Sequence, residues 1–384
     1  MSRTTHYSLQ LISTMPTVSA PSNILVTGAN GYLGLWIVRA LLERGYSVKG
    51  TVRSPAIADT IKRFVQDKYP QQAAKFGCVV VPDITIDGAF DDAVTDVTAV
   101  IHTASPVLLA EADPEACIKP AVGGTVSILR SVQKHGTHVK RVIITSSIAA
   151  VFNTYGPSGL QTEEMWNDDA VKTVREQGRD APGDLKYAAS KTLSERAAWG
   201  FVRDHKEDIK FDLCTVLPSW VMGPIPRDLS SPLQMSSSPR HLYDQLFTVP
   251  APSPREPRFF NYVDVYDVID AHIRALEVEA AGGERILVSS HVCSWQDWRT
   301  SSCVILRRIW LTLLHTVDAA NALGVLPKLD KEDHDAAGDV PSYPTSSNEK
   351  AKRILGIKFK TLPETFKEVY EQWSVLGWLA HLEA

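Results

Sequence analysis

Val26-Thr27-Gly28-Ala29-Asn30-Gly31-Tyr32-Leu33-Gly34 decides how the rest of this chain is read. It completes a short apolar run, Asn23 to Thr27, and opens onto Leu33, Ile37 and Leu41, which recur at helical spacing. Strand, glycines and helix in that order form a cradle for a pyrophosphate. Glycine lets the backbone turn tightly, approach the phosphates closely and pack the helix on the sheet, and the helix N-terminus offers free N–H groups to negative charge. Glycines also punctuate ordinary turns, so the order of the elements carries the reading. Gly45 stands where a helix C-cap belongs, and Ser47 to Val52 reads as a second strand, which makes a βαβ unit.

Further strands are expected at Cys78 to Val81, Ala99 to Thr103, Arg141 to Thr145 and Phe211 to Leu217, alternating with helical patterns. That alternation predicts an α/β fold with a Rossmann-type, doubly wound parallel sheet. After Pro218 the texture changes. Ser230 to Pro239 and Val249 to Pro257 are rich in Ser and Pro and read as loops, of the kind that commonly face substrate. Helical patterns return at Val265 to Glu279 and Pro363 to Trp378, with a polar connection from about Lys328 to Tyr343. The expected organisation is a disordered extension over 1–22, a dinucleotide-binding domain over 23–217, and a smaller C-terminal substrate-binding region over 218–384 that closes over the first and partly returns to its core.

The composition, 44% hydrophobic and 22% charged with a formal charge of -4, is that of an ordinary globular chain. It carries no basic footprint for nucleic acid or an anionic membrane surface, so a small-molecule partner is expected. Val304 to Val317 is interrupted by Arg307 and Arg308, too short to span a bilayer, and reads as a packed helix. Cys78, Cys117, Cys214, Cys293 and Cys303 include no CxxC pair, so neither a metal site nor a disulfide framework is expected and a reducing, cytoplasmic setting fits best. Met1 to Thr14, with Arg3 and no acid, has some features of a transit peptide; an extension or an upstream start before Met15 is the stronger reading.

About twenty positions after the glycines, an acid would bond the adenosine ribose and favour NAD, but this chain has Thr51-Val52-Arg53. A guanidinium there can grip a 2′-phosphate, which favours NADPH. The plainer alternative is a solvated Arg53 at a strand end.

Tyr187-Ala188-Ala189-Ser190-Lys191 puts a phenol and an ammonium on one helix face. A cation beside a phenol favours phenolate, which lets a tyrosine pass a proton near neutral pH. A surface lysine beside a packing tyrosine gives the same spacing by chance. Ser146-Ser147 ends the fifth expected strand, where such sheets place ligand-contacting groups. One of these hydroxyls would hold a carbonyl oxygen beside Tyr187, with Ser147 preferred and Ser146 the fallback; capping a helix is the alternative.

Together these residues resemble the extended short-chain dehydrogenase/reductase family, in the branch of dihydroflavonol reductases, cinnamoyl-CoA reductases and fungal carbonyl and methylglyoxal reductases. The resemblance also covers Ile101-His102-Thr103-Ala104-Ser105-Pro106 and Leu217-Pro218-Ser219-Trp220-Val221-Met222-Gly223-Pro224. It implies that Thr27, Gly28, Asn30, Gly31, Tyr32, Leu33 and Gly34 surround the pyrophosphate, that Asp83 and Ile84 lie along the adenine, that Thr103, Ala104 and Ser105 line the cofactor, and that Pro218, Ser219 and Val221 sit by the nicotinamide. It further implies hydride transfer from the nicotinamide to a carbonyl carbon, Tyr187 giving the proton, Ser147 polarising the oxygen and Lys191 holding the ribose. Asp83 as a turn residue and Pro218 as a strand exit are the plain alternatives. His272 falls in a segment that the resemblance makes structural. Thr300 to Ala319 departs from the family pattern. A sugar-nucleotide epimerase or dehydratase, a steroid-type dehydrogenase and a non-catalytic NADPH-binding regulator are the rival functions, and a monomer or homodimer is expected.

Overall fold

The computed structural model describes residues 17–105, 113–152, 159–235, 237–247, 259–295, 297–298 and 344–379. Its first unit is β1 (Asn23–Thr27), α1 (Tyr32–Glu43) and β2 (Ser47–Val52), followed by α2 (Pro55–Lys68), β3 (Phe76–Val80), β4 (Ala99–His102), α3 (Pro114–His135) and β5 (Arg141–Thr145). Next come β6 (Leu160–Gln161), α4 (Asp168–Gln177), α5 (Gly183–Asp204), β7 (Asp212–Pro218) and β8 (Trp220–Met222). The chain continues through α6 (Ser237–Phe247), β9 (Phe259–Asp264), α7 (Val265–Glu277), β10 (Arg285–Val288), β11 (His291–Ser294), β12 (Thr345–Ser346) and α8 (Leu362–Val375).

Seven strands form one sheet in the order β10-β7-β5-β4-β1-β2-β3, and every pairing in it is parallel. A parallel sheet is covered on both faces, which is why β1 is apolar without alternation. Ile24 and Val26 point into the core shared with α1 and α7, while Leu25 points into the opposite core with Ile128 of α3 and Ala198 of α5. Each such side chain, fully buried, contributes about 1.5–3 kcal/mol. Strand order reverses between β1 and β4, and the crevice beyond their C-terminal ends is where ligands bind in such sheets.

Helix α1 ends in a left-handed Gly45, at φ 89°, with Gly45 N–H donating to Leu42 O and Tyr46 N–H to Leu41 O, so the C-cap expected from sequence is a Schellman turn. The other face of α1 holds the segment after β8. Tyr32 Oη donates to Gly223 O (3.2 Å), Trp36 Nε1 to Pro224 O (3.0 Å) and Arg39 Nη1 to Pro226 O (2.7 Å). From α8, Gln372 clasps both the N–H and the carbonyl of Ile225.

At the base of the sheet, Arg141 and Asp212 are register partners on β5 and β7 and form a two-pronged ion pair at 2.7 and 2.8 Å. The arginine side chain is wholly buried and also donates to Ala275 O and Val278 O, both at 2.6 Å. Removing one partner of such a pair strands a buried charge. Asp212→Ala is expected to lower unfolding stability by about 3–5 kcal/mol. Urea denaturation checks this, and a loss under about 1 kcal/mol would show that the guanidinium finds other compensation.

Beyond β7 a smaller sheet, β11-β9-β8, carries an aromatic cluster that includes Trp220, Phe260, Tyr262, Trp295 and Trp373. Helix α7 and strand β10 rejoin the main sheet, β10 pairing with β7, and β12 pairs with β6.

Three expectations need correction. Order begins before Asn23, because Val18 is buried against α7 and its N–H donates to Leu276 O. The Ser/Pro-rich stretch from Ser230 to Pro239 is not all loop: Pro232–Gln234 is a 3-10 turn and α6 starts at Ser237, since proline is tolerated in a first helical turn and Leu242, Tyr243 and Leu246 supply a buried face. Strand β3 starts at Phe76 rather than Cys78. The expectations for Met1 to Thr14, Val249 to Pro257, Val304 to Val317, Lys328 to Tyr343, Pro106 and Cys303 lie outside the described residues. Among the described residues no helix is long and apolar enough to cross a membrane.

Candidate active site

The ends of β1, β2 and β4 interlock at the switch point. Thr27 Oγ1 accepts from Ala104 N–H (3.1 Å) and pairs with His102 Nδ1 (2.9 Å), and Thr103 Oγ1 donates to Thr27 O (2.6 Å). From β2, Thr51 accepts at its side chain from Gly28 N–H (3.3 Å) and at its carbonyl from Ala29 N–H (3.0 Å). Gly28 sits at φ 66°, and a Cβ on Gly34 would lie 2.2 Å from Gly28 O, so loop and helix touch backbone to backbone. Gly31 is the N-cap of α1 and gives no side-chain bond, and the first turn of the helix contains no acid. This helix end therefore keeps its N–H groups and partial positive charge for an anion. Asn30 and Leu33 are half-buried beside it. Burial and the nearby Asp264 push the Tyr32 phenol well up, which keeps it a hydrogen-bond donor to Gly223.

Arg53 follows β2, exposed, two residues beyond the Thr51 that grips the glycine loop, and among the described residues no hydrogen bond or ion pair engages it. Asp83 is exposed and accepts from Thr85 Oγ1 (2.7 Å) and Thr85 N–H (2.8 Å), which holds its carboxyl below the usual range. Ile84 lies tight against Gly124 of α3, so both residues also have local structural work.

The two serines after β5 are told apart by where their hydroxyl protons go. Ser146 Oγ donates to the buried Glu195 at 2.7 Å. Ser147, 8% exposed, caps a 3-10 turn (Ile148–Ala150) by accepting from Ala149 N–H at 3.1 Å, and its own proton is bound to none of the described residues. Capping and donation are thus compatible in one hydroxyl.

Tyr187 and Lys191 lie one turn apart on α5, with the ammonium 5.8 Å from the centre of the tyrosine ring. Lys191 is 6% exposed and no described acid pairs with it. It lines a small cavity with His102, Ser105, Thr125, Ser146 and Glu195. A buried ammonium calls for oxygen partners, which the hydroxyls of a ribose supply. Burial, with the charge of Lys191, pushes His102 down to about 3, so its imidazole is neutral at any working pH. Pro218 ends β7, Ser219 donates its N–H to Val288 O, and Val221 is buried in β8. The Ser219 hydroxyl is buried with no partner among the described residues, as a group that meets a ligand would be. His272 bridges Val268 O (2.7 Å) and Thr145 Oγ1 (2.8 Å), and burial holds it down to about 4. The carbonyl fixes Nδ1 as the donor, so Nε2 accepts from Thr145.

Sequence reading passed over Glu195 and Arg285. Glu195 follows Lys191 by one helical turn, a spacing that was available as a signal, but nothing near Arg285 announces its partner. Among the described residues no group of His, Cys, Asp or Glu side chains is placed to hold a metal ion.

A dinucleotide fits this crevice on the observations above: an uncapped helix N-terminus, a glycine contact with no room for a side chain, a buried lysine and an orphaned serine hydroxyl. Comparison with known proteins agrees with that class of fold. Residues 24–289 match the NAD dependent epimerase/dehydratase family, and the chain belongs to it. It lies in the extended short-chain dehydrogenase/reductase branch. An NADPH-dependent methylglyoxal reductase of Saccharomyces cerevisiae is 31% identical over 366 residues, 91% of this chain and 97% of the relative. A cinnamoyl-CoA reductase of Medicago truncatula is 34% identical over 353 residues, covering 91% and 94%. Among solved structures, yeast methylglyoxal/isovaleraldehyde reductase complexed with NADPH superimposes with a TM-score of 0.73 at 29% identity, over 92% of this chain and 99% of that one. The NADPH complex of Gre2 from Candida albicans gives 0.75 at 25% identity, over 93% and 99%.

Proposed function

We propose that this chain reduces an aldehyde or ketone to the alcohol with NADPH. The observation that carries the reading is a Ser147 hydroxyl whose proton no described residue takes, in a turn packed against α5, the helix that holds Lys191 5.8 Å from the centre of the Tyr187 ring. NADPH supplies the hydride when bound. The chain's residues do the rest: Ser147 donates to the substrate carbonyl oxygen, Tyr187 gives that oxygen its proton, and Lys191 holds the nicotinamide ribose and favours the phenolate left behind. The α1 N-terminus with Thr27, Gly28, Asn30, Gly31, Tyr32, Leu33 and Gly34 takes the pyrophosphate, Asp83 and Ile84 flank the adenine, Thr103, Ala104 and Ser105 line the ribose side, and Pro218, Ser219 and Val221 border the nicotinamide.

The relatives' names direct the substrate side of the reading toward small or aromatic carbonyl compounds. Following NADPH oxidation against methylglyoxal, lactaldehyde, aromatic aldehydes and β-ketoesters tests it; no turnover with any of them would remove it. A sugar-nucleotide epimerase would hold NAD tightly and need a nucleotide-diphosphate pocket, and Arg53 argues against it. Arg53→Asp is expected to move the ratio of kcat/KM for NADPH over NADH by about a hundredfold toward NADH, because it replaces a paired charge-assisted contact with repulsion. An unchanged ratio, measured with both cofactors, would take Arg53 out of the site.

The domain division at residue 217 belongs to this proposal, with 218–384 bearing the substrate and lending α7 and β10 to the main sheet. So do a cytoplasmic setting, which the absence of a disulfide at Cys78, Cys214 and Cys293 among the described residues supports, and a monomeric or homodimeric state.

A further inference from the structure

A closed circuit of polar contacts runs around Ser147. On the upstream side Ser146 Oγ donates to Glu195 Oε2 at 2.7 Å. The Glu195 carboxylate, wholly buried, also accepts from Thr215 Oγ1 (2.8 Å), Arg285 Nε (2.7 Å) and Trp199 Nε1 (3.3 Å). Arg285 carries the circuit on: its guanidinium lies 3.6 Å from the centre of the Trp166 ring and donates to Glu163 O and, at 3.0 Å, to Met165 O. Asn167 closes it on the downstream side. Its N–H donates to Ala150 O at 2.9 Å and its Nδ2 to Ala149 O at 3.0 Å, both in the turn that Ser147 caps.

A buried ion pair is a weak source of stability once its desolvation is counted. This one is connected through a single hydrogen bond to the residue before Ser147 and, by way of 163–167, to the two residues at the far end of its turn. Catalytic hydroxyls need placement within a fraction of an ångström, which neighbouring bonds supply.

We propose that the Glu195–Arg285 pair is a positioning device for Ser147, fixing the strand exit before the serine directly and the turn after it through 163–167. The proposal rests on the role given to Ser147 above. The pair moves no proton; it acts by holding the Ser147 hydroxyl in one orientation toward the carbonyl oxygen. A pair that served packing alone would affect activity equally whether or not Ser147 kept its hydroxyl.

Four proteins separate these cases: wild type, Ser147→Ala, Glu195→Gln and the double variant, assayed with NADPH and the panel carbonyl compound that wild type reduces, with NADPH binding followed by fluorescence. Glu195→Gln is expected to lower kcat by about tenfold or more while NADPH affinity stays within about twofold. In the Ser147→Ala background the same substitution should change kcat by less than about twofold. Wild-type kcat in Ser147→Ala would overturn the role of Ser147 itself. A slowed Ser147→Ala with a silent Glu195→Gln, or with a full Glu195→Gln effect in both backgrounds, would overturn the positioning role alone. If Glu195→Gln does not fold, Asn167→Ala, which removes the Nδ2 bond to Ala149 O and keeps the backbone bond to Ala150 O, enters the same comparison.

Discussion

Tyr187→Phe yields a folded protein that binds NADPH normally and turns over slower by roughly 10²–10⁴-fold, the range that a positioned general acid contributes. The substitution removes one oxygen and leaves the ring, which is half-buried on α5 beside Lys191. The local backbone stays as it is, because the nearby Ser190 hydroxyl bonds to the Tyr187 carbonyl rather than to its phenol. The loss is therefore confined to the step in which the carbonyl oxygen takes its proton. Steady-state kcat alongside an NADPH fluorescence titration checks both halves, and a kcat within about tenfold of wild type would remove Tyr187 as the proton donor.

Gly34→Ala acts on binding instead of chemistry. The added methyl would lie 2.2 Å from Gly28 O, 2.9 Å from Gly28 C and 3.1 Å from Thr103 Oγ1. Backbone cannot yield as a flexible side chain does, and Gly28 is itself hemmed in by Ala104, 3.2 Å from where its own Cβ would stand. Helix α1 must then move off the loop, and the N–H groups that face the pyrophosphate move with it. NADPH affinity is expected to fall by at least about a hundredfold, close to 2.7 kcal/mol. Overpacking should lower stability by about 1–3 kcal/mol besides. Titration calorimetry with NADPH and a urea curve measure the two effects, and an unchanged Kd would show that the loop has slack the distances do not reveal.

What could be read from sequence was what chemistry keeps local. The glycine loop announces itself within nine residues and Tyr187 with Lys191 within one helical turn, because each depends on spacing along a single element. The position of Arg53 was legible for the same reason, as it follows the strand that grips the loop; its role stays part of the proposal. The Glu195–Arg285 pair was not, since its partners stand 90 positions apart and meet only because β10 crosses back to pair with β7. Strand β10 itself is four residues long, too short to be distinguished by pattern. Two adjacent identical residues, Ser146 and Ser147, gave no sign of which hydroxyl reaches Glu195; Ser146 does, and the proposal assigns the carbonyl to Ser147 on that ground. Helix α6 was hidden because Ser and Pro at its start outweighed the spacing of Leu242, Tyr243 and Leu246, and Val18 because a single buried residue leaves no periodicity.

Helix α1 faces two ways: its first turn presents an uncapped N-terminus to the proposed pyrophosphate site, and Tyr32, Trp36 and Arg39 hold the carbonyls of Gly223, Pro224 and Pro226. If a cofactor steadies this helix, those three hydrogen bonds carry the effect to the chain leading away from β8. Linkage is reciprocal. If a carbonyl compound settles against that segment, it then tightens the grip on NADPH by the same factor by which NADPH prepares the segment for it.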